Sequence, residues 1–292
     1  MSIYQGLCSN GTNLIAAWKG ESGDDRLFYS QYDGVGWKTQ QTIPGNSSTG
    51  PALAQLADQS VIAVWKGEHS DERVFFSTFA DGTWAGQQQI LQITSSVGPS
   101  LAVLDGRLYA AWKDANDTSL WYSYFDGSSW QPKQPMSDFE SDIGPSLCLF
   151  GGSLCAAWKE AGSENLWCSW LSLNGNGGLG QWTGPYQMLG SSAVGPSLFL
   201  CGGKLYAAWR GPNADQTFYF AWFNGGDWQD LKNIPSVASS VGFALSQYNG
   251  VTYVIWKGPG NDQQLWYGTF DGTDITLLGN IPGNTGQDQG QP

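Results

Sequence analysis

The chain has 292 residues, with 40 Gly, 16 Trp, 13 Phe and 12 Tyr against only 13 Lys plus Arg. A formal charge of −12 repels a phosphate backbone and excludes nucleic acid as a partner, while it keeps a surface soluble. No apolar run is long enough to cross a bilayer, and none keeps the three-and-four spacing of an amphipathic helix, so membrane insertion and a helical fold are set aside.

The first residues, MSIYQGLCSNG, have no basic segment followed by an apolar run. They read as lacking a secretory signal, so cytoplasmic residence is expected, with non-classical secretion left open. The five cysteines, Cys8, Cys148, Cys155, Cys168 and Cys201, are odd in number and show no C-x-x-C spacing. That argues against a disulfide framework and against a zinc site; no cofactor or metal is expected.

A phrase then repeats along the chain: an apolar strand ending in Trp and a cation, a polar loop, and an aromatic strand. Its Trp recurs as Trp18, Trp65, Trp112, Trp158, Trp209 and Trp256, at spacings of 47, 47, 46, 51 and 47 residues. A period of this size marks a propeller or solenoid. Each copy divides into four strand-like pieces, clearest in the third: PSLAVLDG, RLYAAWKD, SLWYSYFDG and SWQPKQPM. Asp105-Gly106 and Asp126-Gly127 mark tight hairpins. The expected fold is all-β, a single six-bladed β-propeller of four-stranded antiparallel blades.

The blades fall at 1–49, 50–97, 98–143, 144–194, 195–241 and 242–284, with a polar tail at 285–292. Gly-Pro opens the second to fifth blades; the sixth opens on Gly242-Phe243. The fourth has a long Gly- and Asn-rich connection, Asn174 to Gly180, expected to be a mobile hairpin. The chain starts on a first strand and ends on a fourth, so blade 1 should meet blade 6 without a shared sheet. The pairs Ala16-Ala17, Ala110-Ala111, Ala156-Ala157 and Ala207-Ala208 suit close approach of neighbouring sheets.

The second strand of each copy ends in a cation: Lys19, Lys66, Lys113, Lys159, Arg210 and Lys257. The following loop carries Asp24, Asp71, Asp117, Asp215 and Asp262; the fourth copy has Ser163 there, with Glu164 beside it. The links between blades carry Ser47-Ser48, Ser95-Ser96, Ser141, Ser191-Ser192 and Ser239-Ser240. In a four-stranded meander these loops and links share one end of the disc. If Lys113 faces Leu120 across the hairpin, Trp112 faces Trp121. The equivalents are Trp18 with Phe28, Trp65 with Phe75, Trp158 with Trp167, Trp209 with Tyr219, and Trp256 with Trp266.

Sugars need flat apolar rings for their C–H faces and polar groups for their hydroxyls. Lys or Arg donates, Asp accepts, and the strand-two Trp (Trp18, Trp65, Trp112, Trp158, Trp209, Trp256) offers a ring. Repeated shallow sites of this kind suit a multivalent sugar binder, with glycans or glycoproteins as partners. The same residues also fit a structural role, the cation and acid as an exposed ion pair and the Trp as interblade core. The fourth site is expected to be weaker.

The stretches SQYDGVGW and SYFDGSSW resemble the Asp-box hairpins of sialidase-like propellers, with the Asp one place later, directly before Gly. The whole unit, with AAWKG, FDG, W and GPSLA, resembles propeller repeats of microbial and fungal proteins, six-bladed propeller lectins among them. The resemblance implies a lectin. It departs from the fucose-binding members, whose Arg-centred sites would need more arginines than Arg26, Arg73, Arg107 and Arg210 provide. A sialidase-like glycoside hydrolase is the enzymatic alternative; the four arginines do not look convergent, and the lone His69 reads as a solvated loop residue. A protein-binding scaffold is a third reading, which would show a large apolar patch.

Overall fold

The computed structural model describes residues 5–21, 23–174 and 178–283. These residues form six antiparallel sheets, each a meander running outward from the axis. Blade 1 consists of Gly6–Ser9, Leu14–Lys19, Arg26–Tyr32 and Gln41–Asn46. Blade 2 has Ala52–Gln55, Val61–Lys66, Arg73–Ala80 and Gln88–Thr94, with an extra short strand Thr83–Trp84. Blade 3 has Ser100–Leu104, Arg107–Lys113, Ser119–Phe125 and Gln134–Glu140. Blade 4 has Ser146–Phe150, Ser153–Lys159, Asn165–Leu173 and Leu179–Ser191. Blade 5 has Ser197–Cys201, Lys204–Arg210, Thr217–Phe223 and Trp228–Ala238; blade 6 has Phe243–Tyr248, Val251–Lys257, Leu265–Phe270 and Ile275–Asn280.

The inner strands pack side by side around the axis, and the inner strand of blade 1 lies against that of blade 6. Each sheet is built from consecutive strands, so the two ends of the ring do not share one. At the closure Gln5 Nε2 donates to Gly242 O at 2.9 Å and Ile255 O at 3.2 Å, Tyr248 Oη donates to Thr12 O at 2.8 Å, and Leu7, Leu14 and Trp18 pack with Tyr253 and Ile255. A cavity of about 170 Å³ on the axis is lined by Gln5 and by Gly98-Pro99, Gly144-Pro145 and Gly195-Pro196.

Both faces of a blade are covered by its neighbours, which is why the second strands are apolar at successive positions. Ala16, Ala17, Ala156, Ala157, Ala207 and Ala208 are fully buried, and their small side chains let the sheets approach. The hairpin registers put Trp112 opposite Trp121 and Lys113 opposite Leu120. The same pairing holds for Trp18 and Phe28, Trp65 and Phe75, Trp158 and Trp167, Trp209 and Tyr219, and Trp256 and Trp266.

The turns follow from the local chemistry. Asp105 and Gly106 adopt φ of 52° and 72°, the left-handed pair of a two-residue hairpin turn. At the third-to-outer hairpin, Asp126 Oδ1 accepts from the N–H groups of Ser128 and Ser129, and Asp33 and Asp271 do the same in their blades. The Ser of the same motif spans the hairpin: Ser30 Oγ donates to Lys38 O at 2.6 Å and Ser123 Oγ to Gln131 O at 2.5 Å. The motif is therefore a turn lock.

In blade 4 the outer strand begins at Leu179, which pairs with Leu173, so the irregular connection is shorter than the stretch from Asn174 to Gly180. Residues 175–177 and the polar tail lie outside the described residues. All five cysteines are free thiols; burial pushes Cys8 and Cys148 up to about 12. No helix among the described residues is long and apolar enough to cross a membrane.

Candidate functional site on the loop rim

The loops between second and third strands and the links between blades share one end of the disc. The Trp series does not form its surface. Trp18, Trp65, Trp112, Trp158 and Trp209 are 0–2% exposed and Trp256 is 5% exposed. This corrects the expectation of a sugar-stacking role for these six rings: each lies in an apolar cluster between two blades. Phe139 of blade 3, for example, stacks on Trp158 of blade 4 with ring centroids 4.6 Å apart.

The cations also turn inward. Lys66 Nζ donates to His69 O at 2.9 Å, Asp71 O at 3.2 Å and Ser48 Oγ at 3.2 Å. Lys19 Nζ reaches Asp24 O at 2.8 Å, and Lys113 Nζ reaches Asp114 O at 3.0 Å and Ser96 Oγ at 2.9 Å. Arg210 holds the carbonyls of Asn213, Asp215 and Ser240. Lys159 meets Asp142 at 2.9 Å, and Lys257 is buried like Lys19, Lys66 and Lys159, while Lys113 and Arg210 are partly buried. Lys19, Lys66, Lys113, Lys159 and Arg210 thus satisfy backbone carbonyls of their loops, and all of these but Lys19 also tie the loop to a link between blades. Burial holds the ammonium groups of Lys66 and Lys257 below the usual lysine range. The link serines Ser47, Ser95, Ser141, Ser192 and Ser239 are fully buried and belong to the same pins; Ser141 Oγ donates to Lys159 O at 2.6 Å.

The loop acids do not pair with these ammonium groups as simple hairpin ion pairs. One carboxylate oxygen of Asp24, Asp71, Asp117, Asp215 and Asp262 accepts the backbone N–H two residues on, at 2.8–3.1 Å. This closes the turn into the third strand. Ser163 Oγ does the same for Asn165 at 3.1 Å, so blade 4 keeps the turn without the acid. Glu164 reaches outward instead and accepts Asn213 N of blade 5 at 2.7 Å.

The second carboxylate oxygen fixes the third-strand aromatic or its cover. Asp262 Oδ2 accepts Trp266 Nε1 at 2.9 Å, and Asp215 Oδ2 accepts Tyr219 Oη at 2.9 Å. Asp24 and Asp71 each hold an arginine, Arg26 and Arg73, at 2.7 Å, and these guanidinium groups keep both carboxyls below the usual range. In blade 3, Ser119 Oγ accepts Trp121 Nε1 at 2.8 Å.

Of the third-strand aromatics, Trp121, Trp167, Tyr219 and Trp266 are the partly exposed rings between blades, whereas Phe28 and Phe75 are buried. They divide into two kinds. Arg26 lies over Phe28 at 5.1 Å, Arg73 over Phe75 at 5.2 Å and Lys133 over Trp121 at 4.2 Å. Trp167, Tyr219 and Trp266 are half-buried, and no such cation contact covers them among the described residues. Trp167 opens onto a groove of about 280 Å³ between blades 3 and 4. Its walls are Asp138, Phe139 and Glu140 of blade 3, and Trp158, Glu160, Ala161 and Pro185 of blade 4. The Ser163 hydroxyl and Asn165 amide bonded to Glu160 hold its carboxyl below the usual range.

His69 is solvated, its side chain 75% exposed, yet its Nε2 lies 2.8 Å from Asp25 Oδ2 and bridges blades 2 and 1.

An all-β ring of six four-stranded antiparallel blades defines the class: a six-bladed β-propeller. Known structures share that architecture. The fold superposes on the lectin of Aleuria aurantia in complex with Fucα1-6GlcNAc with a TM-score of 0.71 at 13% identity, covering 99% of this chain and 98% of that one. It superposes on the SapL1 lectin in complex with α-methyl fucoside with a TM-score of 0.72 at 11% identity, covering 96% of each chain. A protein of unknown function from Dyadobacter fermentans gives 0.68 at 15% identity, over 92% of this chain and 93% of that one. No family model matches the sequence, and no curated protein matches it.

Proposed function

We propose that the protein is a carbohydrate-binding protein, a lectin, whose sites lie in the interblade grooves of the loop rim. The observation that carries this reading is the uncovered third-strand ring, held flat by its neighbours and bordered by acceptors, at Trp167, Tyr219 and Trp266. A pyranose offers an apolar C–H face to such a ring and hydroxyls to the carboxylates around it. The likeness to lectins solved with fucosides agrees with this use of the fold. Several weak sites on one disc gain avidity by number.

Binding without turnover is part of the proposal. Glycoside cleavage needs one asymmetric pair of carboxyls with divided roles, whereas the loop architecture here repeats around the ring. A glycan-array screen followed by titration calorimetry tests the reading. Saturable binding of a glycan with more than one site per chain supports it. A folded sample that binds no glycan refutes it, and hydrolysis of an arrayed glycoside points to the enzyme.

A further inference from the structure

We propose that the groove between blades 3 and 4 takes a protonated amino sugar, with the ammonium over Trp167 among Asp138, Glu140 and Glu160. This rests on the carbohydrate reading above and names the class of sugar for one groove.

In blades 1 to 3 the chain sets its own cation on the third-strand ring: Arg26 on Phe28, Arg73 on Phe75, Lys133 on Trp121. Two register positions supply these cations, and blade 4 has lost both. Leu27, Val74 and Leu166 pair with Lys19, Lys66 and Lys159, so Asn165 stands where Arg26 and Arg73 stand. Tyr122 pairs with Gln134 and Cys168 with Tyr186, so Pro185 stands where Lys133 stands.

The acid that holds the cation is kept. Asp114 follows Lys113 directly and binds Lys133 at 3.1 Å. Glu160 follows Lys159 in the same way, but accepts only from neutral donors, Ser163 Oγ at 2.7 Å and Asn165 Nδ2 at 3.1 Å. The opposite wall adds an acid that blades 1, 2, 4 and 5 lack at the equivalent register position. Glu140 pairs with Ser119, whereas the matching outer-strand residues are Asn46, Thr94, Ser191 and Ala238. None of the residues lining the groove is cationic. The groove thus keeps the ring and the carboxylates of a cation seat, and leaves the cation to be brought by the ligand. A bound ammonium gains from the ring face and from the carboxylates together. A pyranose carrying it places its apolar face on the remaining indole.

The test titrates glucosamine oligomers and their N-acetylated counterparts, which share ring and linkage but lack the charge. It is run by calorimetry at low salt and at a pH where the amines are protonated. The expected result is binding of the amine form about tenfold tighter or more, weakened by added salt. Glu140→Gln and Glu160→Gln should each reduce that preference with the near-UV circular dichroism unchanged. Asp81→Asn, at a hairpin tip on the far end where φ is 51° and Asn is tolerated, should leave it intact. Equal or tighter binding of the N-acetylated oligomer overturns the inference but leaves the lectin reading standing. So does a preference for the amine that survives both Gln variants. Binding of a lysine-rich peptide with no saccharide bound at all would overturn both.

Discussion

Gly67 and Asp71 share one space. A Cβ on Gly67 would fall 2.6 Å from the Asp71 carboxyl carbon, far inside contact distance. Gly20 with Asp24, Gly211 with Asp215 and Gly258 with Asp262 repeat the relationship. In blades 3 and 4 the residue after the lysine is an acid instead, Asp114 or Glu160, and the loop is rebuilt around it. The glycine is needed for absent volume, since the carboxylate folds back over it to close the turn.

Gly67→Ala should therefore expel the Asp71 side chain and destabilise the protein by about 1–3 kcal/mol, the usual cost of overpacking. Adding Asp71→Ala should recover only part of that loss, because the nearest contact goes with the carboxylate while the Cβ and carbonyl oxygen of residue 71, each 2.8 Å away, remain. A double-mutant cycle by urea denaturation reads the coupling. Strict additivity would contradict the shared-space account.

The two members of an aromatic pair should separate stability from binding. Trp112→Ala removes a buried interblade ring and should cost roughly 3–5 kcal/mol. Trp167→Ala removes a half-buried ring, so it should cost less and reduce glycan binding. Denaturation and binding titrations on both variants check the contrast.

Gln5 is one of the side chains that join blade 1 to blade 6, beside the Tyr248 to Thr12 hydrogen bond and a shared apolar cluster. Gln5→Ala leaves Gly242 O and Ile255 O without their donor and should cost about 1–3 kcal/mol. Amide hydrogen exchange should rise first in blades 1 and 6. Exchange rising equally in all blades would place the closure elsewhere.

Acid stability has a defined sign. The backbone N–H groups of Ser129 and Ser128 hold the Asp126 carboxyl down at about 2. The carboxyl is more acidic folded than unfolded, so its contribution is present above the ordinary value of 3.8 and is lost as pH falls toward 2. Asn can make the same turn contacts, as Asn224 does in blade 5. Asp126→Asn should therefore flatten the fall in melting temperature across that window and change little at neutral pH. A steeper fall would contradict the assignment.

The fold was legible because blade-on-blade packing asks for the same residue at the same place each time. The Trp series and the Asp-Gly turns repeat for that reason. The hairpin pairing of Trp112 with Trp121 was legible from turn position alone. The direction of the side chains was not. Lys66 looks like an exposed cation in a polar loop, and only the folded loop shows three carbonyls converging on its ammonium. The Ala neighbours of Trp112 were the signal that this ring sits in the tightest layer, with Trp121 left for solvent. The difference between a covered ring and an open one rests on Lys133 and Pro185, which become equivalent only once the bulged register of the outer strands is known.

The central claim is that open third-strand rings bind carbohydrate. Its most direct test is the triple variant Trp167→Ala, Tyr219→Ala, Trp266→Ala, compared with the natural chain on a glycan array and by calorimetry, with folding checked by circular dichroism. The account predicts a folded variant that has lost glycan binding. A folded triple variant that binds the same glycans with the same affinity and stoichiometry would contradict it.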